Sequence, residues 1–114
     1  MSTQYNMELY KLKSRLCKTC ADPTRLMIIN ELRSGEKVVG RIQQALDIPQ
    51  PVVSRHLALL RERGVVKARR RGTSMIYSLV DPKIVEACDI MHSILLNQIA
   101  NNKDIAEKLI TAIS

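Results

Sequence analysis

The chain has 114 residues, 46% of them apolar, which on ordinary domain sizes supports one core and excludes two. Three Tyr with no Trp and no Phe leave Leu, Ile, Val, Met and Ala to fill that core, the filling of helix-on-helix packing, and argue against a large β-sandwich. Eighteen Lys and Arg against eleven Asp and Glu give +7, and the excess is localised: residues 41–72 hold eight of these cations and only Asp47 and Glu62 as anions, so this stretch should meet a densely anionic partner.

No apolar run reaches the roughly 18 residues of a membrane span, and the polar first ten residues do not resemble a signal peptide, so a cytoplasmic protein without membrane contact is expected. Three cysteines in a reducing compartment disfavour a disulfide framework and leave thiol chemistry as ligand or redox group. A phosphate loop, HExxH and GxSxG are all missing, so no enzyme is expected.

In chain order, apolar positions at Tyr5, Leu9, Leu12 and Leu16 predict a first helix over residues 5–20 with one buried stripe, and Lys11, Lys13 and Arg15 off it. Asp22-Pro23 reads as a helix cap followed by proline in the first turn. The second helix should run to Ser34 with Leu26, Ile28, Ile29 and Leu32 inward, and Gly35 as its left-handed cap. A short third helix over Val38–Leu46 is broken by Asp47-Ile48-Pro49. The fourth begins at residues 49–51, where its prolines fit, and ends at Gly64. Val53, Leu57 and Leu60 face its core, while Gln50, Ser54, Arg55 and Arg61 face out. The period then changes to that of strands. Residues 65–71 and 74–80 form a hairpin about Gly72-Thr73. Asp81-Pro82 opens a long helix with a wide face of Ile84, Val85, Cys88, Met91, His92, Leu95, Leu96 and Ile99, and residues 104–113 make a short last one.

This is the element order of a winged helix-turn-helix: mainly α, four helices, a small β-hairpin wing, a fifth helix and a short sixth, in a single domain over 1–114. Such a fold inserts the second helix of the motif into the major groove of double-stranded DNA and lays the hairpin along the backbone. The expected DNA-binding set is Gln50, Pro51, Ser54, Arg55, His56 and Arg61 on the reading helix, with His56 directed partly inward, and Arg69, Arg70, Arg71 and Thr73 on the wing.

At these residues the sequence resembles the ArsR/SmtB family of winged-helix repressors. The resemblance lies in Ala21-Asp22-Pro23-Thr24-Arg25-Leu26, Gly35-Glu36, Gln50 through Arg61, Gly64-Val65-Val66, and Arg71-Gly72 through Ile76-Tyr77-Ser78-Leu79, and covers about residues 8–100. It implies a homodimer built on residues 5–20 and 82–113, an operator of dyad symmetry, and release by an effector. It also implies that Gln50, Ser54, Arg55 and His56 lie on the reading helix. Two metal sites of the family lack their donors: Val38 and Gly40 stand at the Cys-x-Cys positions, and Lys83, Ile94 and Asn97 at the histidine positions. Of the thiol pair used by reactive-sulfur sensors of the family, only Cys88 has a match.

Cys17 and Cys20 are i, i+3 on one helix, and Cys88 lies in the stripe that would pack on that helix in the family architecture. Three such thiolates suit arsenite; with a fourth ligand they suit cadmium or zinc, and their proximity also suits thiol oxidation. The competing reading is that Cys20 and Cys88 simply pack in the core, so that the cysteines are structural and no cofactor is bound. Asp89 and His92 read as a surface carboxylate and a core or interface imidazole before they read as ligands. Two other functions remain open on the sequence: an effector-independent winged helix serving DNA binding or protein assembly, and, more remotely, a thiol oxidoreductase using Cys17-Lys18-Thr19-Cys20. The latter lacks the strand that precedes redox CxxC pairs.

Overall fold

A computed structural model describes residues 5–113. In chain order it contains α1 (Met7–Cys20), α2 (Pro23–Glu31), β1 (Lys37–Val38), α3 (Val39–Leu46), α4 (Gln50–Glu62), β2 (Val66–Arg71), β3 (Ser74–Leu79), α5 (Lys83–Ala100) and α6 (Lys103–Ile113). These form two compact units, the first ending at Pro82 and the second beginning at Lys83.

Local chemistry accounts for most boundaries in the first unit. Asn6 caps α1 by accepting from the Leu9 N–H at 3.1 Å, and Asp22 caps α2 by accepting from the Arg25 N–H at 3.0 Å with Pro23 in the first turn. Helix α3 stops where Asp47 enters the left-handed region at φ 53° and ψ 48°, its N–H bonded to the Gln43 carbonyl at 2.9 Å. Ile48 and Pro49 then turn the chain into α4. The core joins Ile28 and Ile29 of α2, Ile42 of α3, Val53, Leu57 and Leu60 of α4, and Val66 of β2, all essentially inaccessible to solvent. Burying each such side chain contributes about 1.5–3 kcal/mol.

Several expectations need correction. Helix α2 ends at Glu31 and tightens into a 3₁₀ turn over Leu32–Ser34, so it is shorter than the periodicity implied. Leu26 is 42% exposed rather than inward. Gly35 is not a left-handed cap; at φ 134° and ψ −176° it occupies a region open in practice only to glycine. No atom lies within 4 Å of a Cβ built there, so the constraint is purely in the backbone. Gly35→Ala should therefore cost about 1–3 kcal/mol, measurable as a lower urea midpoint with an unchanged slope.

The sheet has three strands rather than two, in the order β1-β3-β2, all antiparallel. Val38, expected to open the third helix, instead pairs with Ile76, and Lys37 before it pairs with Tyr77. A two-residue strand shows no alternation in sequence, and pairing with β3 creates it. The hairpin itself matches the expectation, with Arg71 opposite Ser74 across Gly72-Thr73. Gly72 has φ 62° while Thr73 does not enter positive φ, the pattern of a type II′ turn.

The stripe expected to be buried on α1 lies open in the single chain: Leu9 is 60% exposed, Leu12 61% and Leu16 43%. In the second unit, Asn102 caps α6 by accepting from the Asp104 and Ile105 N–H groups at 3.1 and 3.2 Å. Val85 is its buried apolar side chain among the described residues, whereas Ile90, Met91, Leu95 and Leu96 of α5 are open to solvent. None of the helices among the described residues is long and apolar enough to cross a membrane.

Candidate nucleic-acid interface

Helix α4 divides by its own periodicity. Val53, Leu57 and Leu60 point into the core, leaving Pro51, Arg55, Ala58 and Glu62 along the outermost line and Gln50, Ser54 and Arg61 on one shoulder. Gln50, Pro51, Arg55 and Arg61 are exposed and Ser54 is half-buried. Because the helix starts at Gln50, its free N–H groups and positive dipole end lie beside that shoulder. The shoulder and the outer line together present the Gln50 amide, the Ser54 hydroxyl and the Arg55 guanidinium within the first turns, which is the chemistry that reads base edges.

His56 lies on the opposite shoulder with Leu59 and Arg63. Its Nδ1 is 3.2 Å from Arg25 Nη1 and its side chain is 20% exposed. Since a guanidinium can only donate, Nδ1 accepts and the ring proton sits on Nε2. Arg25 also donates from Nε to the Thr19 carbonyl at 2.6 Å. One side chain of α2 thus ties the last turn of α1 to α4. Asp22 completes the group, with Oδ2 4.0 Å from His56 Nδ1. The Arg25 backbone N–H holds the Asp22 carboxyl below its ordinary range, against the opposing effect of burial and with help from the Arg25 guanidinium.

A depressed carboxylate pKa stabilises the fold above the unfolded value near 4 and loses that contribution as pH falls through the folded value. Asp22→Asn keeps a capping oxygen and should flatten the acid limb of stability below pH 4 while leaving neutral stability within about 1 kcal/mol. Thermal melts from pH 2.5 to 7 check this.

The wing arginines do not act as one group. Strand alternation puts Arg69 and Arg71 on one face of β2 and Arg70 on the other. Arg69 Nη2 meets Glu36 Oε1 at 2.7 Å, so its charge is matched within the protein, a pairing 33 residues apart that periodicity did not reveal. Arg70 and Arg71 flank the turn with Thr73, all exposed, and among the described residues no carboxylate pairs with either arginine.

Cys17 is exposed and Cys20 half-buried in the last turn of α1; Cys88 is half-buried on α5. Among the described residues, no group of three or more His, Cys, Asp or Glu stands close enough to hold a metal ion. Val38 and Gly40 offer no donor side chain at the start of α3.

The family model for bacterial regulatory proteins of the arsR family matches residues 22–68, from the α2 cap into β2. An HTH-type transcriptional regulator of Methanocaldococcus jannaschii is 42% identical over 81 residues, 70% of this chain and 91% of that one. The chain belongs to the ArsR family. The biofilm growth-associated repressor of Xylella fastidiosa is 35% identical over 85 residues, 75% of either chain. Among solved structures, Rv0081 of Mycobacterium tuberculosis superposes with a TM-score of 0.74 at 34% identity, covering 84% of this chain and 97% of its own. A homodimeric winged helix-turn-helix domain from Mycobacterium bovis gives 0.73 at 25% identity, covering 90% and 96%. This ArsR-family protein is therefore a winged-helix transcriptional regulator and not an enzyme, which removes the thiol oxidoreductase reading.

Proposed function

We propose that the protein is a homodimeric repressor that binds double-stranded DNA of dyad symmetry and leaves it when an effector binds. The observation that carries this reading is the surface of α4 formed by exposed Gln50, Arg55 and Arg61 with half-buried Ser54, on a chain whose wing tip carries Arg70 and Arg71 without a carboxylate partner among the described residues. Base edges meet α4 and phosphates meet the wing. His56 acts from behind by holding α4 on Arg25.

Dimerisation is supported by the open Leu9, Leu12 and Leu16 stripe on α1 and, separately, by Ile90, Met91, Leu95 and Leu96 on α5. Apolar faces of this extent are found on soluble chains mainly where a partner covers them. The M. bovis relative is described as homodimeric. Leu12→Glu should convert a dimer into a monomer in sedimentation velocity and remove operator binding at nanomolar protein, without lowering helix content.

Titration of the protein on the promoter upstream of its own gene, over a salt series and beside a scrambled duplex, tests DNA recognition. Preference for the promoter and a steep fall of affinity with salt support it; equal, salt-independent binding overturns it.

For the effector, the reading rests on Cys17 and Cys20, whose neighbour Thr19 offers its carbonyl to Arg25. Two thiolates in that turn would take a soft ion such as cadmium or arsenite and pull on the Arg25 link to α4. A coupling of about 1–3 kcal/mol, or 5- to 150-fold in DNA affinity, is the usual size. Replacing Cys17, Cys20 and Cys88 together by serine should abolish the response to both ions; an undiminished response overturns the thiol effector.

A further inference from the structure

The side of α1 turned away from Leu9, Leu12 and Leu16 faces its own unit. Met7, Lys11, Ser14 and Lys18 recur along it at helical spacing. Together with α2 and the C-terminal end of α4 this side borders an open groove of about 600 Å³. Five cations line it: Lys11, Arg15 and Lys18 of α1, Arg25 of α2, and Arg63 at the end of α4. No carboxylate does. Lys11 is paired outward with Glu8 at 3.4 Å, and Arg25 is committed to Thr19 and His56. Among the described residues Arg15, Lys18 and Arg63 have no acidic partner.

Arg63 adds a second observation. Its Nε is buried, and no group among the described residues accepts its hydrogen bond. Native structures seldom leave a buried donor unmatched, least of all a charged one. The lining also includes Met7, Tyr10 and Leu59, so carbon surface lies beside the unmatched charge. A DNA backbone carries charge but no apolar body to lie on Met7, Tyr10 and Leu59. An occupant that satisfies both features is small, anionic and apolar at one end.

We propose that this groove binds a small amphipathic anion, its carboxylate or phosphate head on Arg63, Lys18 and Arg15 and its apolar body on Met7, Tyr10 and Leu59. Arg25 lines the same groove while its Nη1 holds His56 on α4, so occupancy alters how α4 is held. The binding site stands independently of the DNA reading; the effect on α4 rests on it.

Calorimetric titration of the full chain, without DNA, uses decanoate below its micellar range and decanol as the neutral probe of equal length. The expected result is one decanoate per chain, bound at least about tenfold more tightly than decanol. Lys18→Gln and Arg63→Gln should each weaken decanoate about tenfold and leave decanol unchanged, with Arg63→Lys retaining most of the affinity. Lys18 is exposed, so its variant reads the site even where Arg63→Gln fails to fold. Equal binding of the two probes, or decanoate affinity untouched by Lys18→Gln, overturns the site. Decanoate should then change the Kd for promoter DNA in the unaltered protein and not in Lys18→Gln. An unchanged Kd with decanoate bound overturns the coupling alone, and the DNA reading is judged by its own titration without decanoate.

Discussion

Replacing Arg55 by alanine should weaken binding to the specific operator far more than binding to a scrambled duplex. A guanidinium paired with a guanine edge discriminates by about 1–3 kcal/mol, and a dimer reads two half-sites, so the expected loss is about 2–6 kcal/mol. Fluorescence anisotropy on the two duplexes measures it. Arg71→Ala should behave differently, because the proposed function gives it a phosphate as partner. Affinity for both duplexes falls together, and the slope of log K against log salt becomes shallower by about 2 for the two phosphate contacts of a dimer. Arg69→Ala should matter less than either, since its charge is already matched by Glu36 at 2.7 Å. If Arg55→Ala and Arg71→Ala lower affinity for both duplexes equally, the outer line of α4 is not the reading surface.

Leu57→Ala should be the most damaging substitution for stability. Leu57 is fully buried on α4 in a core with Ile42 and Val53, which are likewise 0% exposed. Deleting three carbons there removes transfer free energy and leaves a cavity, about 2–5 kcal/mol together. Domains of this size have about 5–15 kcal/mol in all. Urea denaturation should show a midpoint lowered in proportion, with an unchanged slope. The contrast is Leu12→Ala, where the side chain is 61% exposed in the single chain. Its effect should appear as weaker self-association, with little change in the unfolding of an isolated chain.

These two leucines show how far periodicity reaches. The spacing of Leu57 with Val53 and Leu60, and that of Leu12 with Leu9 and Leu16, are the same signal in sequence. Three-dimensional packing separates them: α2 and α3 pack against the helix that carries the first set, whereas the second stays 43–61% exposed. The wing offers a second case. Arg69, Arg70 and Arg71 read as one basic run, yet alternation along β2 parts them, and a carboxylate 33 residues earlier neutralises the first. The alternation was legible once a strand was assigned; the partner was not.

The same holds for the groove. Lys11, Arg15 and Lys18 sit off the apolar stripe and read as a solvated face. Only the approach of α2 and α4 brings Arg25 and Arg63 to that face and buries a guanidinium nitrogen there.

By itself the sequence determined where elements start and stop, through Asp22-Pro23, Asp47-Ile48-Pro49 and Gly72-Thr73, because caps, prolines and glycines act on the backbone within a few residues. It also determined the family and the basic segment that serves it. Tertiary structure alone decided the strand at Lys37–Val38, the Arg69–Glu36 pair, the link from Thr19 through Arg25 to His56, and the cation-lined groove. Each depends on groups distant in sequence becoming neighbours, and that proximity arises from packing Ile28, Ile42 and Leu57 together, not from any local preference of the chain.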